Sequence, residues 1–189
     1  FFSPANIMKL LEVVKGRRTA PEVMATGLAL GRQLRKVSVQ SGVCDGFIGN
    51  RILKIYRRHA DFLLEDGCLP QDVDGAMRAF GMPMGPYEAQ DLGGLDIAWA
   101  NRKRLADSRD PAERYVAIAD RLCEAGRFGQ KTGAGWYRYA AGDRSPHPDP
   151  EVEAVILAEA EARGITRRSF GAEEIQRRIL LPMINEALR

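Results

Sequence analysis

The chain has 189 residues, of which 45% are hydrophobic and 28% are charged, as is usual for a globular protein with a sizeable core. Its net charge of +3 is too small to indicate a nucleic-acid partner by itself. No apolar run approaches the roughly 20 residues of a membrane-spanning helix, so no membrane span is expected. The 3 widely spaced cysteines suit a reducing compartment better than a disulfide framework.

The first 41 residues predict a strand, a helix and a second strand. Residues 7–14 form a short apolar run that favours a buried strand. Residues 36–40 alternate between polar and apolar side chains, which predicts a second strand. Between them, Thr19 and Glu22 form a capping-box pattern that predicts the start of a helix. The apolar residues expected on the packed side of this helix are Val23, Met24, Leu28 and Leu34, with Gly27 and Gly31 allowing a close approach.

From residue 42 onward the patterns are helical. We predict a long helix from about 47 to 66 capped by Asp45, and a helix from 70 to 81 with Phe80 facing inward. Further helices are predicted over 95–107, 111–125, 149–164 and 171–188, the last bent at Pro182. A loop rich in glycine and proline spans 126–148. A weak internal echo relates Arg-Ile-Leu at 51–53 to the same triplet at 178–180.

The glycine-rich segment at 126–135 allows two interpretations. It lacks the Gly-Lys-Thr order of a P-loop and contains no Gly-x-Gly-x-x-Gly turn. It is either a tight loop or a backbone nest in which Lys131 contacts a cofactor phosphate. The two histidines, His59 and His147, are interpreted as surface residues. No Cys/His set has the spacing of metal ligands, so no metal is predicted.

Two polar residues stand out by their surroundings. Glu12 interrupts an apolar strand, where it either faces solvent or orients a catalytic base, because a buried carboxylate needs a partner. Asn50 lies near the start of the long helix, where it is either an ordinary polar position or a donor to a ligand oxygen.

Five motifs occur in the order found in one enzyme family. They are Phe-Phe-Ser-Pro at 1–4 with Met-Lys-Leu-Leu-Glu-Val-Val at 8–14, the segment 45–53, Met-Gly-Pro at 84–86, Asp-Leu-Gly-Gly-Leu-Asp at 91–96, and the segment 126–137. Together these resemble the 3-hydroxyacyl-CoA dehydrogenase family, and the match covers residues 1–140 most strongly. The weaker part, 150–189, resembles the start of the second helical repeat of multifunctional fatty-acid oxidation enzymes.

The resemblance implies a mainly α fold. A helical domain like the C-terminal domain of 6-phosphogluconate dehydrogenase would follow a short strand–helix–strand remnant of a Rossmann domain. The implied domains are the edge of the NAD-binding domain at 1–41, the helical C-terminal domain at 42–148 and the start of a second helical repeat at 149–189.

The resemblance also implies an activity and its residues. The family oxidises 3-hydroxyacyl-CoA to 3-ketoacyl-CoA with NAD⁺ in fatty-acid β-oxidation, and its histidine base would directly precede Phe1. Glu12 matches the glutamate that orients the histidine, and Asn50 matches the substrate-contacting asparagine. Ser3 replaces an asparagine on the nicotinamide side, and Lys131 matches a lysine near the cofactor. The chain alone is expected to be inactive, a homo-oligomer and cytoplasmic.

Three alternatives remain open from the sequence. The chain could be a helical assembly or dimerisation module without a catalytic role. It could bind nucleic acid through the basic residues Arg51, Lys54, Arg57 and Arg58, although the net charge disfavours this. It could also belong to a different two-domain dehydrogenase, such as a 6-phosphogluconate or 3-hydroxyisobutyrate enzyme.

Overall fold

The computed structural model describes residues 1–189 and contains two strands and eight α-helices. The strands are β1 (Leu10–Val14) and β2 (Val37–Ser41). The helices are α1 (Pro21–Gln33), α2 (Gly49–Asp66), α3 (Pro70–Phe80), α4 (Pro86–Gly93), α5 (Leu95–Arg104), α6 (Ile118–Glu124), α7 (Pro150–Ala162) and α8 (Ala172–Ala187). The chain divides into two compact units, residues 1–55 with 183–189 and residues 56–182. The mainly α class with a strand–helix–strand start is confirmed.

The first unit is built on a parallel strand pair. Strands β1 and β2 run parallel, with Glu12 opposite Val39, and α1 forms the crossover between them. Two glycines bring α1 close to the strands: a Cβ on Gly27 would lie 2.9 Å from the Val13 side chain, and one on Gly31 would overlap Ser38. The predicted close approach through these glycines is therefore confirmed.

The start and the packed face of α1 differ from the prediction. The Thr19 hydroxyl accepts a hydrogen bond of 3.0 Å from the Gly16 N–H, so it serves the preceding turn, and Ala20 is the N-cap without a side-chain bond. The packed face follows the spacing of Met24, Gly27 and Gly31, whereas Val23 lies beside that face and is exposed. Leu34 is also exposed because the helix has already ended at Gln33.

The second unit is a helical core. Trp136 and Tyr87 pack at its centre, with ring centroids 4.5 Å apart. Apolar residues from five helices are also fully enclosed in this unit, and they include Leu63, Leu64, Met77, Ile118, Leu122, Ile156, Ile175 and Ile179. This burial of large apolar side chains is the main source of the unit's stability.

Three helix predictions in this unit are wrong in detail. Phe80 is 54% exposed, because α3 ends there and Gly81 turns the chain away with a φ of 117°. Helix α5 stops at Arg104 and gives way to a short 3₁₀ turn at Ala106–Ser108. Helix α6 begins only at Ile118, because the Asp110 carboxylate accepts a hydrogen bond from the Ala112 N–H and holds a turn where a helix was expected.

The C-terminal part follows the prediction more closely. Asp149 caps α7 by accepting a 3.1 Å hydrogen bond from the Glu151 N–H, and Pro182 lies inside α8. Beyond α7, the Arg167 guanidinium donates to backbone carbonyls at the end of α2, those of Leu64, Glu65 and Cys68. The predicted domain limits at 41 and 148 and the second repeat stay predictions.

Candidate functional site

The carboxylate of Glu12 caps the long helix α2. Its Oε1 atom accepts hydrogen bonds from the backbone N–H groups of Ile48, at 2.9 Å, and Gly49, at 2.7 Å. The first N–H groups of a helix have no partner within it, and the helix dipole favours a negative charge at this end. Glu12 therefore ties strand β1 to the start of α2 through one oxygen atom, while Oε2 makes no hydrogen bond to the protein.

This arrangement corrects the predicted start of the helix. Regular helix begins at Gly49 rather than near Phe47, whose φ of 49° is left-handed. The acceptor at the helix start is Glu12, 37 residues before Gly49 in sequence, and not only a local residue such as Asp45. A capping pattern in the local sequence gives no sign of an acceptor so far away.

The ring of Phe2 lies against the same helix start. A Cβ on Gly49 would fall 2.7 Å from Phe2 Cζ and 3.6 Å from Glu12 Oε1, so the missing side chain is what makes room for the ring. The sequence predictions did not single out Phe2 or Gly49 for a packing role. The available signal was a glycine at the start of a helix, where its low helix propensity has to be offset by some other advantage.

Two more predicted site residues lie in this first unit. Asn50 directly follows Gly49 and is exposed, and Ser3 directly follows Phe2 and is exposed. Both therefore present hydrogen-bonding groups to solvent, next to Phe2 and Gly49 at the capped start of α2. The structure thus groups Ser3, Glu12 and Asn50 within one compact unit.

Lys131, the fourth predicted residue, lies in the other compact unit. Its ammonium is 2.5 Å from Asp96 Oδ1, and this hydrogen bond holds the pKa of the Asp96 carboxyl below its usual value. Its loop supports the tight-loop interpretation, since Gly126, Gly129 and Gly133 have positive φ. A phosphate contact by Lys131 stays a prediction.

A network of buried carboxylates holds this loop. Asp91 accepts hydrogen bonds from the Trp136 N–H at 2.9 Å and the Tyr137 N–H at 3.0 Å, and from the Tyr139 hydroxyl at 2.9 Å. Asp74 accepts from the Tyr137 hydroxyl at 2.7 Å. Burial raises the pKa of both carboxyls to about 6, although their donors act in the opposite direction. The sequence predictions missed this network, although Asp91 opens one of the quoted motifs.

Other kinds of site find little support. No group of three or more His, Cys, Asp or Glu side chains is arranged to hold a metal ion. None of the helices has the length and apolar character needed to cross a bilayer. His59 packs edge-on against Phe62, and the exposed His147 lies 3.4 Å from Asp143.

Two family profiles match the chain in succession. The profile of the NAD-binding domain of 3-hydroxyacyl-CoA dehydrogenase matches residues 1–44. The profile of the C-terminal domain of the same enzymes matches residues 46–139. The chain belongs to the 3-hydroxyacyl-CoA dehydrogenase family. This membership decides against a 6-phosphogluconate or 3-hydroxyisobutyrate enzyme.

Curated relatives extend the match over the whole chain. The peroxisomal bifunctional enzyme of Danio rerio is 44% identical over 201 residues, which cover 100% of this chain and 28% of that protein. The peroxisomal fatty acid β-oxidation multifunctional protein of Oryza sativa is 34% identical, covering 100% of this chain and 26% of that protein. The chain thus spans little more than a quarter of these relatives. Their names contradict the expected cytoplasmic location. That expectation rested on cysteine content, which separates reducing from oxidising compartments but does not distinguish one reducing compartment from another.

A solved structure supports the fold at full length. The dehydrogenase part of multifunctional enzyme 1 from C. elegans superimposes with a TM-score of 0.72 at 27% identity, covering 99% of this chain and 42% of that one. Residues 149–189, which lie beyond the C-terminal-domain profile, are therefore also part of an architecture seen in a dehydrogenase of this kind.

Proposed function

We propose that this chain is part of an NAD-dependent 3-hydroxyacyl-CoA dehydrogenase that acts in fatty-acid β-oxidation. The observation that carries the proposal is the Glu12 carboxylate, which uses Oε1 at the start of α2 and leaves Oε2 free to accept another hydrogen bond. A carboxylate held in this way is suited to orient an imidazole and to stabilise its protonated form. The family membership supplies the reaction.

The proposed chemistry assigns each residue of the first unit a role. In this proposal, a histidine placed directly before Phe1 takes the proton from the C3 hydroxyl, and Glu12 orients its ring. Asn50, exposed beside the capped helix start, donates a hydrogen bond to a substrate oxygen. When bound, NAD⁺ would supply the acceptor for the hydride from C3, and the products would be the 3-ketoacyl-CoA, NADH and a proton.

The first unit fits an NAD-binding domain in part. Parallel strands joined by a crossover helix are the repeating element of dinucleotide-binding sheets, and the chain supplies one such element in β1, α1 and β2. The exposed Ser3 offers a hydroxyl to the nicotinamide side. A glycine-rich dinucleotide turn does not occur in the chain, so Ser3 is the cofactor contact proposed for this unit, with Lys131 proposed in the other.

The activity is tested on the full-length protein. Purified protein is mixed with acetoacetyl-CoA and NADH, and the loss of NADH absorbance is followed, together with the reverse reaction from a 3-hydroxyacyl-CoA. We expect turnover that depends on the CoA ester and on the nicotinamide. Absence of turnover in both directions, with a folded protein, would overturn the proposal.

The 189-residue chain alone is proposed to be inactive and to form a homo-oligomer. The same assay tests the first point, and turnover above background by the chain contradicts it. Size-exclusion chromatography with light scattering tests the second, and a monomer at high concentration contradicts it. An inactive chain that still oligomerises would fit the alternative role as an assembly module for that part of the molecule.

The domain limits and the location are also proposed. Residues 1–41 are assigned to the NAD-binding domain, 42–148 to the helical C-terminal domain and 149–189 to the start of a second repeat. A peroxisomal location is proposed from the names of the relatives. Fluorescence microscopy of the tagged full-length protein with a peroxisomal marker tests it, and diffuse fluorescence contradicts it.

A further inference from the structure

The ammonium group of Lys36 links two backbone carbonyls near the start of the chain. Its Nζ atom donates hydrogen bonds of 2.6 Å to the Ala5 oxygen and 2.8 Å to the Met8 oxygen. Hydrogen bonds from a charged donor are stronger than those between neutral groups. The two acceptors belong to the turn that separates the Phe-Phe-Ser-Pro segment from strand β1.

Both partners of this link are anchored by backbone bonds. Lys36 is the last residue before β2; its N–H donates to the Gly31 oxygen at 2.8 Å, and the next residue, Val37, donates to the Lys9 oxygen at 2.9 Å. The turn is closed by the N–H groups of Ile7 and Met8, which both donate to the Pro4 oxygen at 3.0 Å. Lys36 therefore fastens a closed turn to the beginning of the parallel strand pair.

The position of this turn matters for the proposed reaction. On its N-terminal side lies Phe2, whose ring packs at Gly49, and on its C-terminal side lies β1 with Glu12. In the proposed reaction the base before Phe1 meets the Glu12 carboxylate, so the shape of the intervening turn sets the distance between the two groups. A displacement of about 1 Å at a catalytic group can lower a rate by about a hundredfold.

We propose that Lys36 is a positioning residue of the dehydrogenase, which holds the turn at residues 4–8 so that the base preceding Phe1 lies against Glu12. This inference rests on the proposed function. Lys36 does not touch the reacting atoms in this arrangement, and its effect passes through the backbone of the turn. Neither the family motifs nor the sequence periodicity identified it.

The test compares four forms of the full-length protein. Lys36→Met removes the ammonium and keeps the length of the side chain, while Lys36→Arg keeps a cation with several donors. Lys15→Met is the matched control, since Lys15 is exposed in the same unit and its side chain makes no hydrogen bond or ion pair. Measured quantities are kcat, KM for acetoacetyl-CoA, the pH profile of kcat/KM, and amide hydrogen exchange in residues 4–9.

We expect Lys36→Met to lower kcat about 10- to 100-fold, while KM changes less than about threefold. The alkaline limb of the pH profile should move to lower pH, because the imidazole donates its proton to the ketone oxygen in this direction and an imidazole that loses its carboxylate has a lower pKa. Exchange at Ile7 and Met8 should speed up. Lys36→Arg should recover most of the activity, and Lys15→Met should match the wild type.

An unchanged kcat and alkaline limb in Lys36→Met would overturn the inference, as would unchanged exchange at Ile7 and Met8. Should Lys36→Met not fold, Lys36→Gln, which keeps a neutral donor, gives the same measurements with a smaller expected effect. An inactive wild type overturns the proposed function instead. In that case the exchange data still decide whether Lys36 orders the turn.

Discussion

The Oε1 atom of Glu12 accepts a 2.7 Å hydrogen bond from the backbone N–H of Gly49, which fastens strand β1 to the first turn of α2. A single carboxylate thus has two tasks in the proposed site. One oxygen fixes the helix that carries Asn50, and the other is free to orient the base. Because both tasks use the same side chain, substitutions of Glu12 can separate them.

Replacing Glu12 by glutamine and by alanine should give two different results. Glutamine keeps a carbonyl oxygen for the N–H groups of α2 but loses the charge, so kcat should fall about 10²- to 10⁴-fold with little loss of stability. Alanine should lose as much activity and also about 0.5–2 kcal/mol of unfolding free energy, the usual cost of a lost cap. Kinetics of the full-length protein and denaturant unfolding measure both effects.

Glu22→Gln provides the control for this pair, because Glu22 is an exposed glutamate on α1 with no side-chain partner. It should match the wild type in both measurements. Activity of Glu12→Gln within about threefold of the wild type would contradict the orienting role, since loss of the orienting carboxylate in comparable pairs costs far more. Equal stability of Glu12→Ala and the wild type would contradict the capping role.

Asn50→Ala should lower kcat/KM for the CoA ester by about 10- to 100-fold, the cost of one hydrogen bond to a ligand oxygen. Its stability should be unchanged or slightly higher, because Asn50 is exposed and alanine is the better helix former. Asn101→Ala, on the exposed side of α5, is the matched control. If both variants keep full activity, Asn50 is an ordinary polar position.

Gly49→Ala should disturb the site without changing any polar group. The added Cβ would lie 2.7 Å from Phe2 Cζ, so the ring has to move and the segment around residue 2 moves with it. We expect kcat to fall at least about tenfold, consistent with a displacement of less than 1 Å. Gly75→Ala in α3 is the control, since a Cβ there meets nothing within 4 Å. Equal activity of both variants would show that the position of Phe2 does not matter.

The secondary-structure elements could be predicted where the sequence pattern reports contacts between residues close together in the chain. The two strands follow from a short apolar run and an alternating segment with a helix between them, and the close approach of α1 follows from Gly27 and Gly31, four residues apart. The cap at Asp149 was predictable for the same reason, since its acceptor and donor are two residues apart. Periodicity and capping both describe contacts within a few residues of the chain.

The parts of the site that were missed depend on contacts between distant residues. Glu12 could be singled out as a carboxylate in an apolar strand, but its partners at the start of α2 could not be deduced from the strand. Lys36 reads as an ordinary lysine, and only the strand register brings its ammonium to Ala5 and Met8, 31 and 28 residues away. The late start of α6, by contrast, has a local cause. The Asp110 side chain accepts a hydrogen bond from a nearby backbone N–H and so competes with helix formation.

Asp61→Asn should change how stability depends on pH. Burial raises the pKa of Asp61 from 3.8 to about 7, against the lowering effects of Arg102 and the hydrogen bond from Tyr87. The folded state therefore holds this proton more tightly than the unfolded state, and the stability that it contributes at low pH is lost progressively as pH rises from about 4 to about 7. The asparagine side chain does not ionise in this range, so the variant does not lose stability at this position as pH rises.

Thermal unfolding of the chain at several pH values between about 4 and 8 measures this effect. Asp61→Asn should resemble the wild type near the acidic end and unfold several degrees higher near the alkaline end, since about 1 kcal/mol shifts the midpoint by roughly 2–4 °C in a chain of this size. Asp107→Asn, an exposed aspartate, is the control and should follow the wild type throughout. A constant difference between Asp61→Asn and the wild type across this range would contradict the raised pKa, because it would show that the Asp61 carboxyl does not titrate there in the folded protein.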